Sequence, residues 1–148
     1  MEILNQNIMK FKLFVLMLGM TLMQSCGNQL SKTSEEVLNG HWEATQIKGN
    51  AISDKVTPPT LDIDIEDHKI SGNDSCNGYM GAIQKITDKD FLLGGVAGTL
   101  MYCEHIEVAD AFNQALKEVA TYKVEEGELH LFSQQGEKLL SFKKNDKQ

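Results

Sequence analysis

Six residues in the middle of the chain, Leu61-Asp62-Ile63-Asp64-Ile65-Glu66, alternate strictly between apolar side chains and carboxylates. A period of two puts Leu61, Ile63 and Ile65 on one face and Asp62, Asp64 and Glu66 on the other, as in an antiparallel strand with one dry and one wet side. Asp67-His68 then turns the chain and Lys69-Ile70-Ser71-Gly72 returns as the partner strand. An earlier strand over 40–47 offers Trp42 to the core, and Pro58-Pro59 interrupts the connection between them. Further strands are predicted over 82–86, 90–93, 122–125, 128–133 and 138–143, with turns at Glu126-Gly127 and Gln135-Gly136. Gly94-Gly95 reads as a turn or a bulge. One segment has another period: Val108, Phe112, Ala115, Leu116 and Val119 recur at spacings of three and four, which predicts a helix over 104–120. Glu104 and Glu107 near its start and Lys117 near its end suit the helix dipole. About eight short strands around one helix make an α+β domain: a small, mainly antiparallel, partly closed β-barrel or curved sheet with one helix packed on it.

With 148 residues and 41% hydrophobic content, the chain fits one globular domain. Fourteen Lys and no Arg oppose twenty-one acidic residues, and the net charge of −7 repels phosphate backbones, which argues against nucleic acid as a partner. Without Arg there is no planar fork for bidentate recognition of phosphate, so phosphoryl transfer lacks its usual equipment.

The first residues read as an export leader. Lys10 and Lys12 precede an uncharged apolar run over 13–23, far short of the roughly 20 residues a spanning helix needs. The run ends at Met23-Gln24-Ser25-Cys26, which resembles the lipobox of bacterial lipoproteins. That resemblance implies cleavage before Cys26 and acylation of its thiol, and two or more acyl chains anchor a protein stably. The expected organisation is a signal peptide over 1–25, a lipidated flexible spacer over 26–36 and a folded domain over 37–145. Gly27, rather than Asp, follows the cysteine, which by analogy with enteric sorting points to the periplasmic face of the outer membrane.

Three segments carry a second resemblance. Leu38-Asn39-Gly40-His41-Trp42 is similar to the Leu-x-Gly-x-Trp opening of the META domain, or HslJ-like, family. The stretch Ser75-Cys76-Asn77-Gly78-Tyr79-Met80-Gly81 is similar to its central Gly-Cys-Asn-x-x-x-Gly segment, with Ser75 in place of the first Gly. Thr99-Leu100-Met101-Tyr102-Cys103 resembles its Thr-x-Met-x-Cys segment. The Phe112-x-x-x-Leu116 helix and the Gly127-Glu128-Leu129-x-Leu131 hairpin follow in the family's order, so the likeness spans roughly 37–143. It implies a small α+β barrel-like domain, common on bacterial lipoproteins and linked to heat stress and drug tolerance, with no catalytic residues to carry over.

Cys76 and Cys103 fall in two of these segments, and in an exported protein they are expected to form a disulfide, Cys26 being reserved for lipid. The competing reading makes Cys103 a nucleophile served by His105, which needs a depressed thiol pKa and an orienting third group. A calcium loop starting at Asp62 is excluded by Asp67 and Asn73 at the places of the required Gly and Glu. Asp74, Cys76, Cys103 and His105 lack the paired spacing of a zinc site, and His41, His68 and His130 lie on separate elements. No metal or cofactor is expected. Asn73, Asn77 and the neighbouring glycines form a turn-rich patch, and Asn77, Tyr79, Met101 and Tyr102 are the candidate binding residues. The sequence thus predicts a non-enzymatic envelope lipoprotein domain that binds or stabilises another envelope component. The alternative is a carrier or sensor of an apolar small ligand held inside the barrel.

Overall fold

In the computed structural model, which describes residues 34–145, the alternation around Leu61 is realised as a strand with Leu61 and Ile63 buried and Asp64 exposed. The leader 1–25, Cys26 and most of the spacer lie outside the described residues. The elements run α1 (Ser34–Leu38), β1 (Gly40–Ile47), β2 (Asn50–Ala51), β3 (Thr60–Asp64), β4 (Lys69–Asn73), β5 (Gly78–Ile86), β6 (Phe91–Gly98), α2 (Ile106–Lys117), β7 (Val119–Glu125), β8 (Glu128–Ser133) and β9 (Lys138–Lys144). All strand pairs are antiparallel, in the order β6-β5-β4-β3-β1-β9-β8-β7, with β2 hung on β1.

This sheet curls into a half-barrel. Its two edges meet at one place, where Asp90 bridges Thr121 and the Tyr122 N–H donates to the Lys89 carbonyl at 2.9 Å. Gly94 and Gly95 together face Ala82, because Gly81 pairs with Val96 and Ile83 with Leu93. The two glycines therefore form a bulge inside β6, and bulges bend a strand and increase its twist. On the concave side Trp42, Phe91, Phe112 and Phe142 are fully buried among Leu61, Ile70, Leu131 and Leu140. Each such side chain contributes about 1.5–3 kcal/mol by leaving water.

Several boundaries differ from expectation for local reasons. The strand expected to run to Glu66 stops at Asp64, whose carboxylate accepts the Asp67 N–H at 3.0 Å and turns the chain. β5, β6 and β7 are longer than predicted, since glycines and alternating small residues conceal strand character that pairing enforces. The predicted helix over 104–120 shortens to 106–117. Glu118 closes it with its N–H on the Ala115 and Leu116 carbonyls, and Val119 already opens β7. The flexible spacer expected to reach residue 36 gives way to α1, whose Leu38 is fully buried. The Leu38 carbonyl accepts the Trp42 indole N–H at 2.7 Å, and Lys144 donates to the Val37 carbonyl at 3.3 Å while lying 5.2 Å from the Trp42 ring centroid.

Candidate functional site

The β4–β5 turn and the loop between β6 and α2 are joined covalently. Cys76 and Cys103 form a disulfide with Cα atoms 5.8 Å apart across a sequence separation of 27. Neither thiol is free, so the Cys103–His105 nucleophile reading has no thiolate to act through, and the His105 ring faces Glu107 at 3.3 Å.

Polar side chains fix the same region from within. The Asp74 carboxylate, buried at the turn, accepts the backbone N–H groups of Cys76 at 2.9 Å and Asn77 at 2.6 Å, and its second oxygen accepts the Asn113 amide at 2.6 Å. Asn77 in turn accepts the Thr99 hydroxyl at 3.0 Å and the Met101 N–H at 2.7 Å through its side-chain oxygen. One short turn thereby holds α2 through Asn113 and the following loop through Asn77. Buried groups bonded on every side rigidify what they touch. Ser75, between them, adopts a left-handed φ of 92°, and its buried hydroxyl oxygen has no hydrogen-bond partner.

Of the four residues expected to bind, the structure turns two inward. Asn77 is committed as described. Tyr79 is 5% exposed, its hydroxyl donates to the Thr60 carbonyl at 2.7 Å and its ring stands 5.8 Å from that of Phe112. Burial, reinforced by the nearby charges of Asp62 and Asp74, pushes the Tyr79 phenol far above its ordinary pKa. Space for that hydroxyl exists because residue 72 is Gly: a Cβ there would lie 2.1 Å from the Thr60 carbonyl oxygen and 2.8 Å from the Tyr79 hydroxyl. Met101 and Tyr102 face solvent, at 55% and 90% exposure, with Leu100 at 99% beside them and Met80 at 67% on β5.

A second constellation, which no sequence motif announces, lies across β8 and β9. His130 pairs with Ser141 in the ladder, its Nδ1 lies 3.0 Å from the Ser141 hydroxyl, and its Nε2 lies 3.6 Å from Glu128. Eleven residues of separation in sequence say nothing about this meeting; only the register creates it. Ser141 lies in an interior strand, paired with Gln46 of β1 on one side and His130 of β8 on the other. His41 likewise meets Asp62 across β1 and β3, and His68 occupies the β3–β4 turn with φ 52°.

A family model described as the META domain matches residues 35–146. No curated protein matches the chain in sequence. Among solved structures, the NMR structure of a protein from Burkholderia xenovorans is similar with a TM-score of 0.60 at 23% identity, over 77% of this chain and 88% of that one. The crystal structure of a DUF4847 family protein from Bacteroides vulgatus ATCC 8482 is similar with a TM-score of 0.57 at 13% identity, over 79% of this chain and all of that one (100%). At such identities these likenesses establish the curled-sheet fold alone. The sequence segments, the fold built on them and the match across 35–146 agree that this chain belongs to the META domain family.

Proposed function

We propose that this META domain is a non-enzymatic, lipid-anchored module of the bacterial envelope that binds or stabilises another envelope component under stress. Its contact surface is the loop over 99–105. The observation that carries the reading is the exposure of Leu100, Met101 and Tyr102 on a loop that is stapled at Cys103 and bonded to Asn77 at Met101. Apolar side chains held out in water lose free energy that contact with a partner recovers. A loop ordered in advance also loses less conformational entropy on binding than a free one. Fully buried Trp42, Phe91, Phe112 and Phe142 occupy the concave side of the sheet, with Phe112 bringing α2 against it. That filling gives the carrier alternative less support. The anchor is the lipid on Cys26, and the location is the periplasmic face of the outer membrane.

Two measurements test this. Cross-linking in intact envelopes is expected to yield a discrete adduct that disappears in a Leu100→Ser/Met101→Ser/Tyr102→Ser variant; equal adducts from both would refute the loop as contact surface. Cys26→Ala is expected to release the folded domain from membranes, and unchanged fractionation would remove acyl anchoring.

A further inference from the structure

β6 is an edge strand whose last residues keep half of their backbone hydrogen-bonding capacity unused. The Thr99 N–H donates to the Gly78 carbonyl at 3.0 Å, and the register pairs Tyr79 with Gly98, Met80 with Ala97 and Gly81 with Val96. Bonded and non-bonded pairs alternate in an antiparallel ladder, so Ala97 and Thr99 turn their backbone groups toward β5 while Val96 and Gly98 turn theirs away. Among the described residues, no backbone bond reaches Val96 or Gly98 from that far side. The rest of this edge is protected. Its beginning is closed off by the Asp90–Thr121 bridge, and its middle is distorted by the Gly94-Gly95 bulge.

Beside the open stretch lies a cleft of about 380 Å³ between β6 and α2, lined by Tyr79, Leu100, Ile106, Asp110 and Gln114. An edge with free donors and acceptors next to a cleft that takes alternate side chains is the geometry of strand addition. We propose that the 96–98 edge of β6 and this cleft accept an extended, basic and apolar peptide segment as an added strand. Leu100 and Ile106 supply the apolar contacts. Charge selects the peptide: Glu104, Glu107 and Asp110 are exposed on the loop and the first half of α2, Lys117 at the far end is the cation lining the cleft, and the chain carries −7. A second copy of this chain would bring the same carboxylates together, and like charges across an interface disfavour association. The proposal deepens the partner-binding reading and rests on it for the existence of a partner.

The test uses hydrogen exchange on the full chain in detergent, with three capped octapeptides as probes: alternating Lys and Val, alternating Glu and Val, and the Lys/Val sequence N-methylated at every residue. The Lys/Val peptide is expected to slow exchange of the Val96 and Gly98 amides about tenfold, since strand pairing protects the amides it bonds. The Glu/Val peptide should fail on charge and the N-methylated peptide on missing donors. A Glu104→Lys/Glu107→Lys/Asp110→Lys variant, altered only at exposed positions, should lose the response to Lys/Val and gain one to Glu/Val. Unprotected Val96 and Gly98 amides, or equal protection by all three peptides, would overturn the proposal. So would protection that grows with protein concentration and needs no peptide, which would make a second copy the occupant. Envelope adducts that depend on Leu100–Tyr102 contacts without any edge protection would remove strand addition and leave the loop reading standing; edge protection with adducts indifferent to the loop variant would do the reverse.

Discussion

Ser75 occupies the one place where this chain departs from the Gly of the resembled motif, and the structure shows the consequence. A side chain at φ 92° costs about 1–2 kcal/mol, and the hydroxyl oxygen is buried without a partner. Ser75→Gly relieves both while the residue-75 N–H still donates to the Asn73 side-chain oxygen, at 2.8 Å, and loses part of the gain to the freer unfolded chain. A net stabilisation of about 1 kcal/mol is expected in urea titrations. Tyr79 makes a prediction about pH. Its folded-state pKa is raised above the ordinary 10.0, so the folded protein keeps the proton that the unfolded chain releases. Stability is therefore fully present below pH 10.0 and falls as pH rises above it. Tyr79→Phe should lower stability near neutrality by about 1 kcal/mol, because the Thr60 carbonyl loses its donor, yet flatten the alkaline decline. Parallel alkaline declines in the two proteins would show that Tyr79 is not the group responsible.

At the level of elements, the disulfide and the Asp74–Asn77 turn share the task of holding the 99–105 loop and α2 to the sheet. Closing a loop across a separation of 27 residues contributes about 3.5 kcal/mol in the chain-entropy account. Cys76→Ser/Cys103→Ser should lose roughly that much in urea unfolding. The polar bonds of Asp74 and Asn77 remain, so exchange of the Met101 amide should rise without reaching the unprotected rate. These elements were unequally legible. β1, β8 and the Leu61 strand announce themselves because their apolar residues alternate and end at turn formers. β6 does not: Gly94-Gly95 breaks the pattern, and only pairing with β5 across the bulge extends the strand to Gly98. The end of α2 differs from expectation because Val119 keeps helical spacing while belonging to a strand, a choice made by its partner Ser133. Asn77 and Tyr79, candidate binding residues by their place beside a cysteine, are both buried and hydrogen-bonded within the fold.

Across the whole molecule, the chain entering from the spacer and the exposed loop belong to opposite ends of the sheet. Gly40 pairs with Ile63, Asp64 with Lys69 and Lys69 with Ala82 near α1, while Asn73 pairs with Gly78 and Tyr79 with Gly98 near the disulfide. A strand length of about 17–20 Å separates the two ends. The proposed reading has this loop meet a partner and not the bilayer. A Tyr102→Trp variant in vesicles containing brominated lipid should show the added fluorescence unquenched; strong quenching would place the loop against the membrane instead. The sequence by itself determined the strand-rich class, the apolar and acidic faces of individual strands, the family and the two cysteines that pair, because alternation, turn residues and short motifs are local properties. Tertiary structure alone decided which polar residues would be buried, that His130 would meet Ser141, and that Val96 and Gly98 would be left at an open edge. Those outcomes depend on register and curvature, and both are set jointly by residues far apart in the chain.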